Sequence, residues 1–322
     1  MSASAYPEKY NTIIDEETWA FIAQTNAWYP PETMNNTVEE QRLIYNKMCR
    51  AFFTGYPAGV NAIDSLIIKD DREIPIRTYS LVGSTPKAQV VYYHGGGFVV
   101  GGLDSHDDVC AEICGRTGFV VTSIDYRLAP EHRYPADFND AVEGFQFCAE
   151  RSQLPVLLVG DSAGGNLAAA VAHATRGNAL KPIGQVLIYP GLSSDMTEGS
   201  FIEHARAPLL TTEETMFYKS KRSGGDEKLL LEPNCSPLNH ADFNNLPPSV
   251  IVSAECDPLS DNGRDYRARI IESGGKAIWY NEAGLVHGFL RGRHSSLRIK
   301  TAFTRIIEAI SALGDNHWPH EE

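Results

Sequence analysis

Three widely separated residues could together perform nucleophilic acyl transfer: Ser162, Asp257 and His287. A serine hydroxyl is a weak nucleophile until a base takes its proton, and the base needs a group that orients it. Ser162 stands in Gly160-Asp161-Ser162-Ala163-Gly164, between an apolar run at 155–159 and a small-residue run at 163–170. That pattern predicts a strand turning sharply into a helix, with the hydroxyl at the tip of a strained turn. A β-carbon at position 160 or 164 would crowd the turn, which accounts for both glycines. Of the ten histidines, His287 is singled out by a loop position after a strand, flanked by Gly284 and Gly288. Three acids, Glu255, Asp257 and Asp261, fall in one short segment as candidates to orient it. Asp257 is preferred. Asp before Pro is a common helix N-cap, but this one lies at the turn on the sheet edge where Ser162 emerges. Its short side chain also loses little entropy in fixing an imidazole. Asp261 has an ordinary reason to exist in the first turn of a helix, and Glu255 has a longer, less rigid arm.

Acyl transfer builds negative charge on an oxygen. The run His94-Gly95-Gly96-Gly97-Phe98 supplies glycines that let several backbone N–H groups converge on one point. The same glycines do not make a phosphate cradle. Leu103 stands where a P-loop has Lys, and Val100 interrupts a Gly-x-Gly-x-x-Gly. The chain has no His-Glu-x-x-His and no paired Cys ligands, so no metal and no other cofactor is expected.

These residues must be held by an alternation of strands and helices. Residues 12–53 read as helical, broken at Pro30-Pro31, with Thr37 and Glu40 forming a capping box for a helix that bears Leu43, Ile44, Met48 and Phe52. Strands at 62–68 and 74–80 form an antiparallel pair around a polar Asp70-Asp71-Arg72 turn. Strands at 88–93, 119–124, 155–159, 182–189, 249–254 and 277–280 then alternate with helices at 106–117, 136–150 and 258–273 and the helix after Ser162. A last helix presents Ile299, Phe303, Ile306, Ile310 and Leu313. The order predicts an α/β fold, a mostly parallel central sheet with helices on both faces and an antiparallel start.

Residues 191–248 interrupt the alternation for longer than an ordinary connection, with a helical piece at 212–221. Such an insertion is usually a lid or a binding element. It leaves the sheet near the carboxyl ends of the strands, where α/β ligands sit. The chain is therefore read as N-terminal cap helices (1–53) and a catalytic domain (54–322) with a cap insertion at about 191–248. The two cap pieces should cover Ser162, with Trp28, Tyr29, Phe201 or Phe217 lining an apolar pocket.

Composition narrows the class. A net charge of −13 argues against a nucleic-acid partner. No apolar run approaches the length of a membrane span, and residues 1–11 are polar, with no secretory leader expected. The six cysteines show no paired framework and suit small buried side chains in a reducing cytoplasm.

The combination of His94–Gly97, Tyr126-Arg127-Leu128-Ala129-Pro130-Glu131, Gly160–Gly165, Asp257-Pro258-Leu259 and His287-Gly288-Phe289 resembles the bacterial hormone-sensitive-lipase family of carboxylesterases. The resemblance runs from about residue 89 to 289, and the chain order Ser, Asp, His is that of an α/β-hydrolase. It implies an eight-stranded α/β-hydrolase sheet with a helical cap, Ser162 as nucleophile, His287 as base and Asp257 as orienting acid. The oxyanion donors it implies are the backbone amides of Gly96, Gly97 and Ala163. Asp161 places the chain with the Gly-Asp-Ser-Ala-Gly branch, and Ser260 departs from the branch's Arg. Arg127 and Glu131 are expected to support the site from behind. The reading is a cytoplasmic, cofactor-free serine carboxylesterase acting on short- to medium-chain acyl esters through an acyl-enzyme. A small ester is the expected partner, and a homodimer is left open. The alternatives are an amidase or arylformamidase of the same fold, and a non-catalytic ligand receptor. Receptors of this superfamily, such as those for gibberellin, lack the catalytic His.

Overall fold

The computed structural model describes residues 6–69 and 72–318, so Asp70 and Asp71 of the expected turn and the first five residues lie outside it. The chain enters through α1 (Tyr10–Ile13), α2 (Glu16–Trp28) and α3 (Val38–Ala51). Asp15 accepts the Thr18 amide at the start of α2, and Thr37 and Glu40 form the expected capping box for α3. Of the residues expected to face inward from α3, Met48 and Phe52 are buried, but the face is turned away from Leu43. Gln41, Tyr45, Met48 and Cys49 are buried, whereas Leu43 is 58% exposed. Polar contacts fix this rotation: Gln41 donates to the Met34 and Asn36 carbonyls, and Arg42 reaches the Val99 and Ala129 carbonyls and Glu131.

The antiparallel pair follows as β1 (Val60–Lys69) and β2 (Arg72–Leu81). Then come β3 (Gln89–Tyr93), α4 (Asp107–Thr117), β4 (Val120–Ile124), α5 (Ala136–Arg151), β5 (Val156–Asp161), α6 (Ala163–Thr175) and β6 (Gly184–Ile188). Residues 191–248 hold α7 (Ser200–Glu203), α8 (Thr212–Ser223) and α9 (Glu227–Leu231). The chain ends with β7 (Ser249–Cys256), α10 (Ser260–Glu272), β8 (Ala277–Val286) and α11 (Leu297–Gly314). The eight strands form one sheet in the order β1-β2-β4-β3-β5-β6-β7-β8, antiparallel at β1, β2 and β4 and parallel from there on.

Both faces of the central strands are covered, which is why their sequences do not alternate. Val90 and Tyr92 of β3 and Leu157 and Val159 of β5 face Val109 and Ile113 of α4 and Ile299, Phe303, Ile306 and Ile310 of α11. Val91, Tyr93 and Leu158 face Phe145 of α5, Leu167 and Val171 of α6 and Tyr266 and Ile270 of α10. Phe21, Ile22, Tyr45 and Met48 of the N-terminal helices join the first of these clusters, so this segment is packed into the main core. The strand expected at 277–280 continues to Val286, past a register shift against β7 at Ala254/Cys256. That longer strand brings Val286 opposite Cys256, so that residues 257 and 287 leave the sheet side by side.

Candidate active site

Parallel pairing places Tyr93 beside Gly160, and Asp161 beside Ile188. The glycine run after β3 and the turn after β5 therefore emerge together at the carboxyl edge of the sheet. Ser162 occupies that turn with φ 54° and ψ −116°, a backbone conformation that L-residues rarely adopt. Its amide donates to the Ile188 carbonyl at 2.8 Å, which holds the strained residue in place. A β-carbon at Gly164 would lie 1.8 Å from the Tyr93 carbonyl oxygen, so only glycine lets α6 start so close to β3.

Ser162 Oγ lies 2.8 Å from His287 Nε2, and His287 Nδ1 lies 2.7 Å from Asp257 Oδ2. A carboxylate accepts, so Nδ1 carries the proton, and Nε2 is left as the acceptor for the Ser162 hydroxyl. Asp257 is fully buried and its other oxygen accepts the Leu259 amide at 2.9 Å. That second bond fixes the rotamer of the carboxylate that faces the imidazole. The other two acids are engaged elsewhere. Glu255 accepts the Gly284 amide at 2.7 Å, whereas Asp261 accepts the Ser200 amide at 2.9 Å and pairs with Arg264 at 2.7 Å. The Tyr189 ring backs His287 with a centroid separation of 4.7 Å.

Asp161, between Gly160 and Ser162, ties the serine turn to the glycine run. It accepts from the Tyr92 hydroxyl at 2.8 Å and the Gly95 amide at 2.9 Å, with His106 Nε2 at 3.3 Å and the Tyr189 hydroxyl at 3.4 Å. Burial alone would raise this carboxyl, but His106, the Tyr92 hydroxyl and the charge of Arg291 outweigh it and hold it well below the usual carboxylate range. Gly96 and Gly97 follow with φ of 127° and 61°. Among the described residues the amides of Gly96, Gly97 and Ala163 donate to no protein acceptor, which leaves them free for an oxygen bound beside Ser162. Arg127 and Glu131 sit behind this loop: Arg127 holds buried Asp140 at 2.7 Å, and Glu131 pairs with Arg42 at 2.7 Å.

A cavity of about 770 Å³ opens over Ser162 and His287. Its walls come from both suspected cap pieces: Tyr29, Met34 and Tyr45 from the N-terminal segment, and Leu209, Leu210, Phe217 and Tyr218 from residues 191–248. Tyr29 and Phe217 thus line it, but Trp28 and Phe201 do not. Trp28 is 48% exposed at the end of α2, outside the cavity. Phe201 is buried behind the wall, packed on Leu210 and Leu259. Sequence reasoning passed over Tyr45, Tyr218 and Arg291. Tyr45 reads in the sequence as one more aromatic docking the N-terminal helices on the core, and Tyr218 and Arg291 carry no motif.

Residues 90–291 match the family model described as alpha/beta hydrolase fold. An arylesterase of Saccharolobus solfataricus is 32% identical over 253 residues, covering 77% of this chain and 83% of that protein. The carboxylesterase NlhH of Mycobacterium tuberculosis is 36% identical over 229 residues, covering 68% and 72%. In solved structures, a Pyrobaculum calidifontis esterase superposes with a TM-score of 0.84 at 30% identity, over 93% of this chain and 99% of the esterase. By the family match and these relatives together, the chain belongs to the alpha/beta hydrolases, in their hormone-sensitive-lipase-like family of carboxylesterases.

Proposed function

We propose that this chain hydrolyses small carboxylic esters through an acyl-enzyme on Ser162, a reading carried by the continuous Ser162–His287–Asp257 hydrogen-bond chain at the floor of the cavity. Ser162 Oγ attacks the ester carbonyl carbon while His287 Nε2 takes its proton. The carbonyl oxygen, now anionic, is met by the amides of Gly96, Gly97 and Ala163. Collapse expels the alcohol, which leaves with the proton from His287. Water then adds to the acyl-enzyme by the same route in reverse, releasing the acid. Asp257 keeps the imidazole in the tautomer that accepts from serine and stabilises it once it is protonated.

Residues 1–53 and 191–248 act in this reading as a cap, and the Gly-Asp-Ser-Ala-Gly turn supports membership of the branch of that name. The mixed apolar wall of Tyr29, Met34, Leu209 and Phe217 suits short to medium acyl chains. The pocket is built within one chain, so turnover needs no second copy. Six unpaired, buried cysteines support residence in a reducing compartment such as the cytoplasm, and among the described residues no helix is long and apolar enough to cross a membrane. The test is hydrolysis of p-nitrophenyl esters of increasing acyl length, with a matched anilide alongside. Each added methylene contributes roughly 0.8 kcal/mol of binding until the wall is met. Efficiency should therefore climb and then drop sharply, and the anilide should turn over far more slowly. Equal activity on long-chain emulsions, or a faster anilide, would contradict the reading.

A further inference from the structure

Arg291 is a cation in the cavity wall whose protein partners do not neutralise it. It lines the same cavity as Ser162 and His287 and is largely buried. Its Nη2 donates to the Tyr45 hydroxyl at 2.5 Å, its Nε points at Cys49 Sγ at 3.4 Å, and the guanidinium lies 5.0 Å from the centre of the Tyr45 ring. Among the described residues no carboxylate lies within ion-pair distance of it. The remaining nitrogen, Nη1, has no hydrogen-bond partner among the described residues and sits next to Gly288, the neighbour of His287. Arg291 feels the charge of Asp161, but that carboxylate is already bonded to Tyr92, Gly95, His106 and Tyr189.

The other charged residues of the cavity are spoken for or peripheral. Glu214 is turned back onto the Thr211 amide and hydroxyl at 2.7 and 2.8 Å. Glu213 and Arg206 are exposed at the rim, and Lys219 is bonded to the Ser193 carbonyl. A guanidinium held by a phenol and a thiol keeps its charge while losing water, an arrangement that is costly unless an anion completes it. Its planar donors match a carboxylate.

We infer that Arg291 binds a carboxylate carried by the substrate, so that the preferred esters of this site are half-esters or other esters bearing a free acid group. The inference rests on the hydrolase reading and names its substrate class. The carboxylate can belong to the acyl or to the alcohol half, and two matched pairs of substrates separate these. Ethyl hydrogen glutarate against ethyl valerate tests the acyl half. Butyryloxyacetate against propyl butyrate tests the alcohol half.

In the wild-type enzyme the acid-bearing member of one pair should have the higher kcat/KM by about ten- to a hundredfold, as a charge-assisted hydrogen bond warrants. Arg291→Gln should bring that ratio to within about twofold of one, and Arg291→Lys should keep part of it, because charge survives without the planar fork. If Arg291 only fastens α3 to the turn after His287, both members of a pair fall together and the ratio does not change. That result overturns the inference, as does a wild-type ratio of one or less in both pairs. Calorimetric binding of ethyl hydrogen glutarate and of butyryloxyacetate to Ser162→Ala, with and without Arg291→Gln, decides the matter without turnover. Arg291-dependent binding with no hydrolysis of any ester would sink the hydrolase reading and leave the carboxylate site standing. Binding of neither acid, or binding indifferent to Arg291, overturns the site itself.

Discussion

Of the three acids between positions 255 and 261, only Asp257 reaches His287, and the other two tie loops together. Asp257→Asn should lower kcat by about three to four powers of ten, by analogy with the same change in a serine protease. Asp261→Asn should leave most of the rate and cost stability, because an amide has one acceptor oxygen and no charge and so cannot serve both the Ser200 amide and Arg264. Steady-state kinetics with a urea denaturation curve for each variant separates the two outcomes, and an inactive Asp261→Asn beside an active Asp257→Asn would reassign the acid. At this scale the sequence was most readable where chemistry demands a residue type at a fixed turn. Ser162 needed its flanking glycines, and His287 its place after a strand. Arg291 was not readable, because an arginine four residues past a histidine has no signature until the fold sets it in a cavity wall.

Helix α8 shows how one element joins the insertion to the catalytic core. Near its C-terminal end Arg222 is fully buried, pairs with buried Asp137 of α5 at 2.6 Å and donates to Asn166 of α6 at 3.2 Å and the Cys235 carbonyl at 2.9 Å. Its guanidinium lies 3.6 Å from the centre of the Phe98 ring, the residue after the glycine run. Arg222→Met should destabilise the protein by about 3–5 kcal/mol, since it strands the Asp137 charge in the interior. The double variant Arg222→Met with Asp137→Leu should recover much of that loss. Additive losses in chemical denaturation would show that the pair is not coupled.

Element types were legible from period and punctuation: the capping box of α3, the helix at 212–221 and the alternation after residue 88 all appear as expected. The exposed Leu43 and the extended β8 were not. Contacts of Gln41 with the preceding turn and of Arg42 with distant loops set the rotation of α3, and pairing with β7 carries β8 past its apolar run. Both are tertiary effects that local pattern does not encode.

Across the whole molecule, burial of neutral histidines couples stability to pH. His94 lies under the glycine run, stacked on Tyr126, and burial first, then the neighbouring His106, lowers it to about 3. His173 of α6 stacks on His240 of the insertion at 3.9 Å, and burial, then His240 and nearby arginines, lowers it to about 2. In the unfolded chain both take up a proton near pH 6.5, so below that pH the unfolded state binds more protons and stability falls as pH falls. Each should cost about 1.4 kcal/mol per pH unit between roughly 6.5 and its folded value. Denaturation at pH 7.5 and 5.5 should show the loss, and His173→Phe should make the dependence shallower. A stability unchanged between these pH values would contradict the buried neutral state.

The claim on which the rest depends is that Ser162 becomes covalently acylated. The direct measurement is intact-mass and peptide-mapping mass spectrometry after treatment with a p-nitrophenyl alkylphosphonate, which mimics the tetrahedral intermediate. The account predicts one phosphonyl group per chain, located on Ser162, with one equivalent of p-nitrophenolate released and no adduct on Ser162→Ala. Absence of an adduct on the folded protein, or an adduct on another residue that Ser162→Ala leaves in place, would contradict it.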